Sequence, residues 1–383
     1  MMSKAAVLHG LHQPWTIEEI EIGEPRAGEV LVEWKSAGMC HSDDHLVTGD
    51  MVPPAEVLAR LDGDFFPIIG GHEGSGVIIE IGPEVHAVAV GDHVAASFLP
   101  SCGRCRYCTT GRQNLCDSSA GTFMGGMITD GTHRHFIDGR PVGLMSKIGT
   151  FSQHTCVAES SVIKVDPDFS FDAVALVSCG VATGWGSATV RADVRPGDTV
   201  VVVGVGGIGI NAVQGAVMAG AMIVVAVDPV SMKLEVAKSL GATHTATSMS
   251  EALPLLREIT GGYLAEKVIM TPSVMYGELL GEGLSLVGKG GTLVCTAVAP
   301  MSQTSASINL FELSMWSKEV KGTIFGSLSP RAAVPSLLQM YRAGSLKLDE
   351  LITRRYSLGE INEGYAALKR GELIRGVLDC TQI

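Results

Sequence analysis

The chain has no run of 18 uninterrupted apolar residues, so no membrane-spanning helix is expected. Its first residues, MMSKAAVLHG, lack a basic segment followed by an apolar one, so no secretory signal is read there. Basic charge is scarce: 28 Lys and Arg stand against 40 Asp and Glu, a formal charge of −12. Without a basic run, such a chain makes a poor partner for nucleic acid or an anionic membrane. Charged residues are few, at 18%, while hydrophobic residues reach 46%, which excludes a disordered chain. Long linkers, repeats and low-complexity tracts are missing. What remains is a folded protein, expected in the cytoplasm with its thiols reduced. At roughly 150 residues per domain, its 383 residues suggest two domains.

The chain is rich in glycine, with 47, and in cysteine, with nine. The first 180 residues read as short strands and loops: AAVL, EVLVEWKSAG and GSGVIIEIG run or alternate apolar and end at Gly or Pro. From 198 to 324 the pattern changes. Strand-length apolar runs (Thr199–Val203, Met222–Val227, Val268–Met270, Thr292–Val298) alternate with helix-like segments (Gly209–Ala219, Ser231–Leu240, Gly277–Leu286). That alternation predicts a doubly wound parallel sheet. Two amphipathic helices beyond Phe325 read as a return to the first domain. Residues 51–66 look like an insertion, with a short helix over Ala55–Leu61.

Four cysteines form C-x2-C-x2-C-x7-C: Cys102, Cys105, Cys108 and Cys116. Four thiolates at this spacing surround one ion tetrahedrally, as a closed, structural zinc site does. The alternatives are free buried thiols or an iron–sulfur cluster. The ferredoxin run needs C-x3-C-P, whereas Cys116 is followed by Asp117. Arg104, Arg106 and Arg112 make the loop basic, but the overall acidity speaks against an RNA-binding knuckle.

A second set is dispersed: Cys40 in CHSDDH, His72 and Glu73 in GGHEG, and Cys179 in SCG. Two thiolates and an imidazole make a tetrahedral zinc site with one open position. Open zinc polarises an alcohol oxygen and lowers its pKa. The released proton needs a path. Ser42 can relay it and His45 can pass it to water. Asp43 can hydrogen-bond the far nitrogen of His72. The plainer alternative is that Ser42 or Asp43 caps a helix. Glu73 is either a second-layer or transient ligand, or a buried carboxylate that needs a partner. His133 and His135 are read as part of a surface turn after Asp130-Gly131 rather than a third metal site.

The run Val200–Val203 leads into Gly204-Val205-Gly206-Gly207-Ile208-Gly209 and then a helical segment, and a second strand ends at Asp228. This context reads as a dinucleotide site. The loop residues Gly204, Gly206, Gly207, Ile208 and Gly209 let the backbone approach a pyrophosphate. Asp228 accepts from both ribose hydroxyls and favours NAD over NADP. Lys233 either touches the adenosine ribose or is a solvated helix lysine. His41 and Arg375 can neutralise the pyrophosphate.

Assembled, these motifs resemble the zinc-dependent medium-chain alcohol dehydrogenases over nearly the whole chain, with GTFSQHT, SCGVATGWGSA and IFG adding to those above. The resemblance implies a groove-like, β-rich catalytic domain (1–180 and 325–383), a Rossmann domain (181–324), two zincs and NAD, and a homodimer or homotetramer. It makes Cys40, His72 and Cys179 catalytic zinc ligands, Ser42 and His45 the proton relay, and the four-cysteine loop a structural zinc site. Thr183 then packs against the nicotinamide, Val298 lies at its border, and Phe98 and Phe325 wall a pocket for an alcohol or aldehyde. Leu99, Phe123 and Met124 add to an apolar lining. Lys267–Pro272 and Thr296–Val298 depart from many relatives in lacking an acidic residue and glycines.

Within the family, the insertion and the segments GTFMGGMITDGTHRHF and LDELITRRYSLGEINEGY resemble the actinobacterial nicotinoprotein alcohol dehydrogenases, which use nitrosodimethylaniline as an artificial acceptor. There NAD stays bound and is recycled by another electron acceptor. The alternatives are an ordinary enzyme with exchangeable NAD and a thiol-adduct formaldehyde dehydrogenase. The latter normally has an arginine soon after the last knuckle cysteine, where this chain has Asp117-Ser118-Ser119-Ala120. A zinc and nucleotide sensor without turnover is a non-enzyme alternative, against which the Ser42–His45 pair speaks.

Overall fold

The computed structural model describes residues 1–58, 65–119 and 126–383. Phe123, Met124 and the end of the expected helix over Ala55–Leu61 lie outside the described residues. The described part of that helix spans Ala55–Leu58. The chain divides into two compact units, Met1–Cys179 with Ser329–Ile383, and Gly180–Leu328.

The first unit is built on two sheets. The larger runs in the order Val162–Lys164, His93–Ala96, Ser75–Ile81, Glu29–Gly38, Arg375–Asp379, Ile352–Ser357, with His154–Ala158 also pairing with Glu29–Gly38. The two halves of this unit meet here, because Val377 pairs with Gly38 and Leu378 with Ala37. A return to the first unit after Phe325 was expected for two helices, and they span Pro330–Arg342 and Ile361–Lys369. The second sheet centres on Met2–Leu8 paired with Thr16–Ile22. Trp34, Trp15, Phe151, Met39, Tyr356 and Tyr365 form the largest part of the buried core.

The second unit is one parallel sheet. Its order is His244–Ala246, Ile223–Val227, Thr199–Val203, Ala265–Met270, Val287–Cys295, Glu319–Gly322. Numbered along the chain this is 3-2-1-4-5-6, the doubly wound arrangement. Thr199–Val203 is buried throughout, as expected of a strand covered on both faces. The strand His244–Ala246 and the helix Met249–Ile259 were not read from the sequence. The strand is three residues long, and the helix carries Pro254 inside it, which masks its period. Among the described residues no single helix is long and apolar enough to cross a membrane.

Candidate active site and cofactor sites

Helix His41–Thr48 starts three residues after the central strand of the large sheet ends at Gly38. Cys40 is its N-cap residue and makes no side-chain cap. The capping alternative for Ser42 and Asp43 is therefore corrected: both lie inside the helix. Asp43 is instead spent on the next ligand. Its Oδ1 accepts from Gly71 N–H at 2.8 Å, and its Oδ2 lies 3.1 Å from His72 Nδ1. The other ring nitrogen of His72, Nε2, is thereby turned to the ligand group. Gly71 sits at φ +90, and a Cβ there would press on Phe151 and Thr150, so only glycine makes this turn.

Cys179 follows the helix Phe171–Val177. Its neighbour Ser178 donates to Ala175 O at 2.6 Å and accepts from Gly74 N–H at 3.2 Å, tying the two ligand segments together. The ligand atoms of Cys40, His72, Glu73 and Cys179 all lie within 4.8 Å of one another, and all four residues are buried. The cysteines, histidine and carboxylate fit zinc. Hydrogen-bonded to the Cys179 thiol, with His72 and Arg375 beside it, Cys40 is held well below the ordinary thiol value. Burial pushes Glu73 up to about 7, against the pull of Arg375, whose Nη2 donates to Glu73 Oε2.

Ser42 Oγ lies 3.6 Å from Cys40 Sγ. His45, three residues on, is on the same face of the helix. Its ring is buried. Phe98 sets its ring edge-on to His72, centroids 5.4 Å apart. The four knuckle cysteines also converge within 4.8 Å. Cys102 N–H donates to Cys116 Sγ at 3.2 Å, Cys105 N–H to Cys102 Sγ at 3.3 Å, and Cys108 N–H to Cys105 Sγ at 3.5 Å, the donors that thiolates call for. Backbone N–H groups from Arg104 and Cys105 lower Cys102 to about 6. His133 and His135 join no metal-ligating group among the described residues. The surface-turn reading fails for His135, which is buried in the strand His135–Ile137, its Nε2 accepting from Cys156 N–H at 3.0 Å.

In the second unit, Gly204 follows the first strand at φ +83, and a Cβ there would meet the backbone of Thr271 and Pro272. Gly207 and Ile208 lead into the helix Gly209–Met218, where Gly209 backs onto the Gly204 carbonyl. A Cβ on Gly206 would meet nothing nearer than Lys233 Nζ at 4.0 Å, leaving open space over the loop for a ligand. Asp228 Oδ2 accepts from Val205 N–H at 3.0 Å and Oδ1 from Val230 N–H at 2.9 Å, holding the carboxylate beside the loop. These features fit a dinucleotide. Thr183 is buried in the helix Gly180–Gly186. Val298 is half-buried, and its carbonyl accepts from Met275 N–H at 2.9 Å. Phe325 is buried at φ +54. His41 and Arg375 belong to the first unit.

Several site residues escaped the sequence reading. Thr271 Oγ1 lies 2.6 Å from Gly204 O and 3.0 Å from Val203 O, and Asn211 Nδ2 donates to Gly207 O at 2.9 Å, so both pin the glycine loop. Tyr365 OH donates to Cys40 O at 3.3 Å. The Glu73–Arg375 pair spans 302 residues. Apart from Asn211, four residues from Gly207, these partners are distant in sequence and leave no local signal. Asp50 does: it follows the left-handed Gly49 at the end of the His45 helix and lies against His45 Nδ1.

Comparison with known proteins agrees with this architecture. The alcohol dehydrogenase GroES-like domain matches residues 26–167, and the zinc-binding dehydrogenase domain matches residues 207–343. An NDMA-dependent alcohol dehydrogenase of Amycolatopsis methanolica is 48% identical over 378 residues, 99% of each chain. Alcohol dehydrogenase B of Mycobacterium tuberculosis is 46% identical over 381 residues, 100% of this chain and 99% of that one. The crystal structure of benzyl alcohol dehydrogenase from Acinetobacter calcoaceticus superposes with a TM-score of 0.88 at 28% identity, covering 99% of both chains. The chain belongs to the zinc-binding medium-chain alcohol dehydrogenase family. Within it the protein is an alcohol dehydrogenase with zinc and NAD as cofactors, and its similarity is to the nicotinoprotein type.

Proposed function

We propose that the protein oxidises an alcohol to the aldehyde or ketone by passing hydride to an NAD that stays bound and is reoxidised in place by a second acceptor. The observation that carries the metal chemistry is the convergence of Cys40, His72 and Cys179, with Asp43 braced behind His72. Zinc, when bound there, supplies a Lewis acid for the alcohol oxygen. Glu73 balances the charge of Arg375 beside the ligands and is available as a transient ligand. Ser42 and His45 carry away the alcohol proton. The loop Gly204–Gly209 receives the pyrophosphate, Asp228 the ribose hydroxyls and Lys233 the adenosine side. His41 and Arg375 are the cations assigned to offset the phosphate charge. Thr183 and Val298 face the nicotinamide. Cys102, Cys105, Cys108 and Cys116 hold a second, structural zinc.

Retention of NAD is supported by the relationship to an NDMA-dependent enzyme. Phe98 beside His72 favours an apolar primary alcohol of medium or aromatic type, in line with the benzyl alcohol dehydrogenase of similar fold. Nine free cysteines accord with the reducing cytoplasm, where we place the protein. Self-association as a dimer or tetramer is supported by the exposed Leu310, Phe311 and Met315 on one short helix, followed by the sheet-edge strand Glu319–Gly322.

The test is to purify the protein without added nucleotide, dialyse it extensively, and quantify released NAD(H) and zinc by mass spectrometry. The expected result is one NAD(H) and two zincs per chain. Two zincs with an empty nucleotide site would show an enzyme with exchangeable NAD. In parallel, Cys40→Ala is expected to abolish turnover while leaving a folded, NAD-binding protein; full activity in that variant would refute the zinc mechanism.

A further inference from the structure

Two neighbouring strands of the parallel sheet, Ala265–Met270 and Val287–Cys295, are each followed directly by a buried threonine, Thr271 and Thr296. Both hydroxyls reach segments outside their own strands. Thr271 N–H donates to Val203 O at 2.7 Å, so that carbonyl already has a donor. The single hydroxyl hydrogen of Thr271 then goes to the nearer Gly204 O, 2.6 Å away. This bond fastens the first glycine of the loop to the sheet. Thr296 Oγ1 donates to Ser187 Oγ at 3.0 Å, and Ser187 Oγ donates to Thr183 O at 2.7 Å. That chain fastens the helix Gly180–Gly186 to the next strand. Loop and helix also touch each other: a Cβ on Gly184 would run into the Ile208 carbonyl and the Asn211 side chain. Asn211, the other clamp on the loop, sits in the helix that the loop opens and moves with it. The two threonines instead tie loop and helix to the sheet.

We propose that Thr271 and Thr296 are positioning residues that keep NAD in place by locking the two segments that receive it. The inference rests on the reading above that NAD stays bound. Thr271 acts on the loop assigned to the pyrophosphate. Thr296 acts through Ser187 on the helix that carries Thr183, assigned to the nicotinamide. Neither threonine is given a contact with the cofactor. A dinucleotide that binds a loose loop must order it, and that ordering weakens binding. Here loop and helix are ordered by buried hydroxyls when the chain folds, and release of the cofactor gains no freedom for them. The effect on affinity falls mainly on the rate of release. Both threonines lie in the segments Lys267–Pro272 and Thr296–Val298, where this chain departs from many relatives. What those segments carry instead is a hydroxyl donor at each strand end.

The test measures release of NAD rather than turnover. The full-length protein, purified with its own NAD, is mixed with excess isotopically labelled NAD. The unlabelled NAD left on the protein is followed over time by mass spectrometry. Thr271→Ala and Thr296→Ala remove the donors, whereas Thr271→Ser and Thr296→Ser keep them. Each alanine variant is expected to release NAD about fivefold faster than the parent, the loss of one buried hydrogen bond. The double alanine variant should be faster than either, and the serine variants should stay near the parent. Circular dichroism melting checks that each variant is folded at the temperature of the assay. If an alanine variant does not fold, valine at that position keeps the volume without the donor. A parent that holds its NAD for hours, with alanine variants that hold it as long, would overturn the clamps and leave the retained-NAD reading standing. Serine variants as fast as the alanine ones would also overturn the proposal, because packing and not the hydroxyl would then be at work. A parent that exchanges its NAD within seconds would overturn the retained-NAD reading, and this proposal with it.

Discussion

Three buried histidines of the first unit differ in what they face. His72 has Asp43 behind it, His45 has Asp50, and His135 has the N–H of Cys156. The last arrangement suits only a neutral ring, because a protonated one would point N–H at N–H. Burial, with Arg134 and His133 adding to it, depresses His135 to about 3. The unfolded chain, near the usual 6.5, binds a proton that the folded chain refuses. Stability therefore falls as pH drops from about 6.5 towards 3, and His135 contributes nothing to pH dependence above that window. Between pH 6.5 and 4 the loss from this one group is on the order of 3 kcal/mol. Urea unfolding of His135→Gln over this range should show a shallower slope than the parent, with the amide oxygen accepting from Cys156 in its place. An unchanged slope would remove His135 as the source. In sequence, the motif pointed to His72 and His45, whereas His135 resembled a turn residue. Its burial comes from packing between two sheet neighbours and leaves no periodic trace.

At the scale of elements, the knuckle and the glycine loop were legible because each is local. A ring of thiolates within 15 residues carries its geometry in its spacing, and its backbone N–H groups supply the sulfur acceptors with donors from the same turns. Losing Cys105 should therefore remove a staple rather than a catalyst. Cys105→Ala is expected to bind one zinc per chain instead of two and to lower Tm by roughly 5 °C or more. Differential scanning calorimetry with metal analysis checks this, and an unchanged Tm would show that the loop is no metal staple. The glycine loop was equally plain from its strand–loop–helix setting. Its two clamps were not. Thr271 comes from the end of the fourth strand, 67 residues beyond Gly204, and Asn211 is one of two polar residues, with Gln214, in a mainly apolar helix run.

At the scale of the molecule, the chain leaves and re-enters its first unit, and the doubly wound unit lies wholly between. The helix Leu310–Met315 exposes Leu310, Phe311 and Met315 at 68%, 67% and 63%, in a chain whose other large apolar side chains are mostly buried. Contiguous apolar exposure of this kind is what a self-association face would present. The edge strand beside it carries Glu319 and Lys321 on either side of Val320, a sequence that is self-complementary when two copies pair antiparallel about Val320. Phe311→Glu should shift the protein towards the monomer in light scattering after size exclusion. If the parent is already a monomer at micromolar concentration, this face serves another purpose.

Composition and short motifs by themselves determined the two-part α/β organisation, the cysteine loop, the dinucleotide strand–loop–helix and the segments that carry Cys40, His72 and Cys179. These rest on local spacing, period and turn chemistry, which a linear sequence displays. Tertiary structure alone decided which groups meet across the chain. It set Arg375 against Glu73, Tyr365 on the carbonyl of Cys40 and Asn362 on the backbone of Trp15. It also buried His45 and set its Nδ1 3.2 Å from Asp50 Oδ2. Such partners are chosen by the closing of sheets and by the need to satisfy buried polar groups, and neither leaves a mark on the residues that lie between them in sequence.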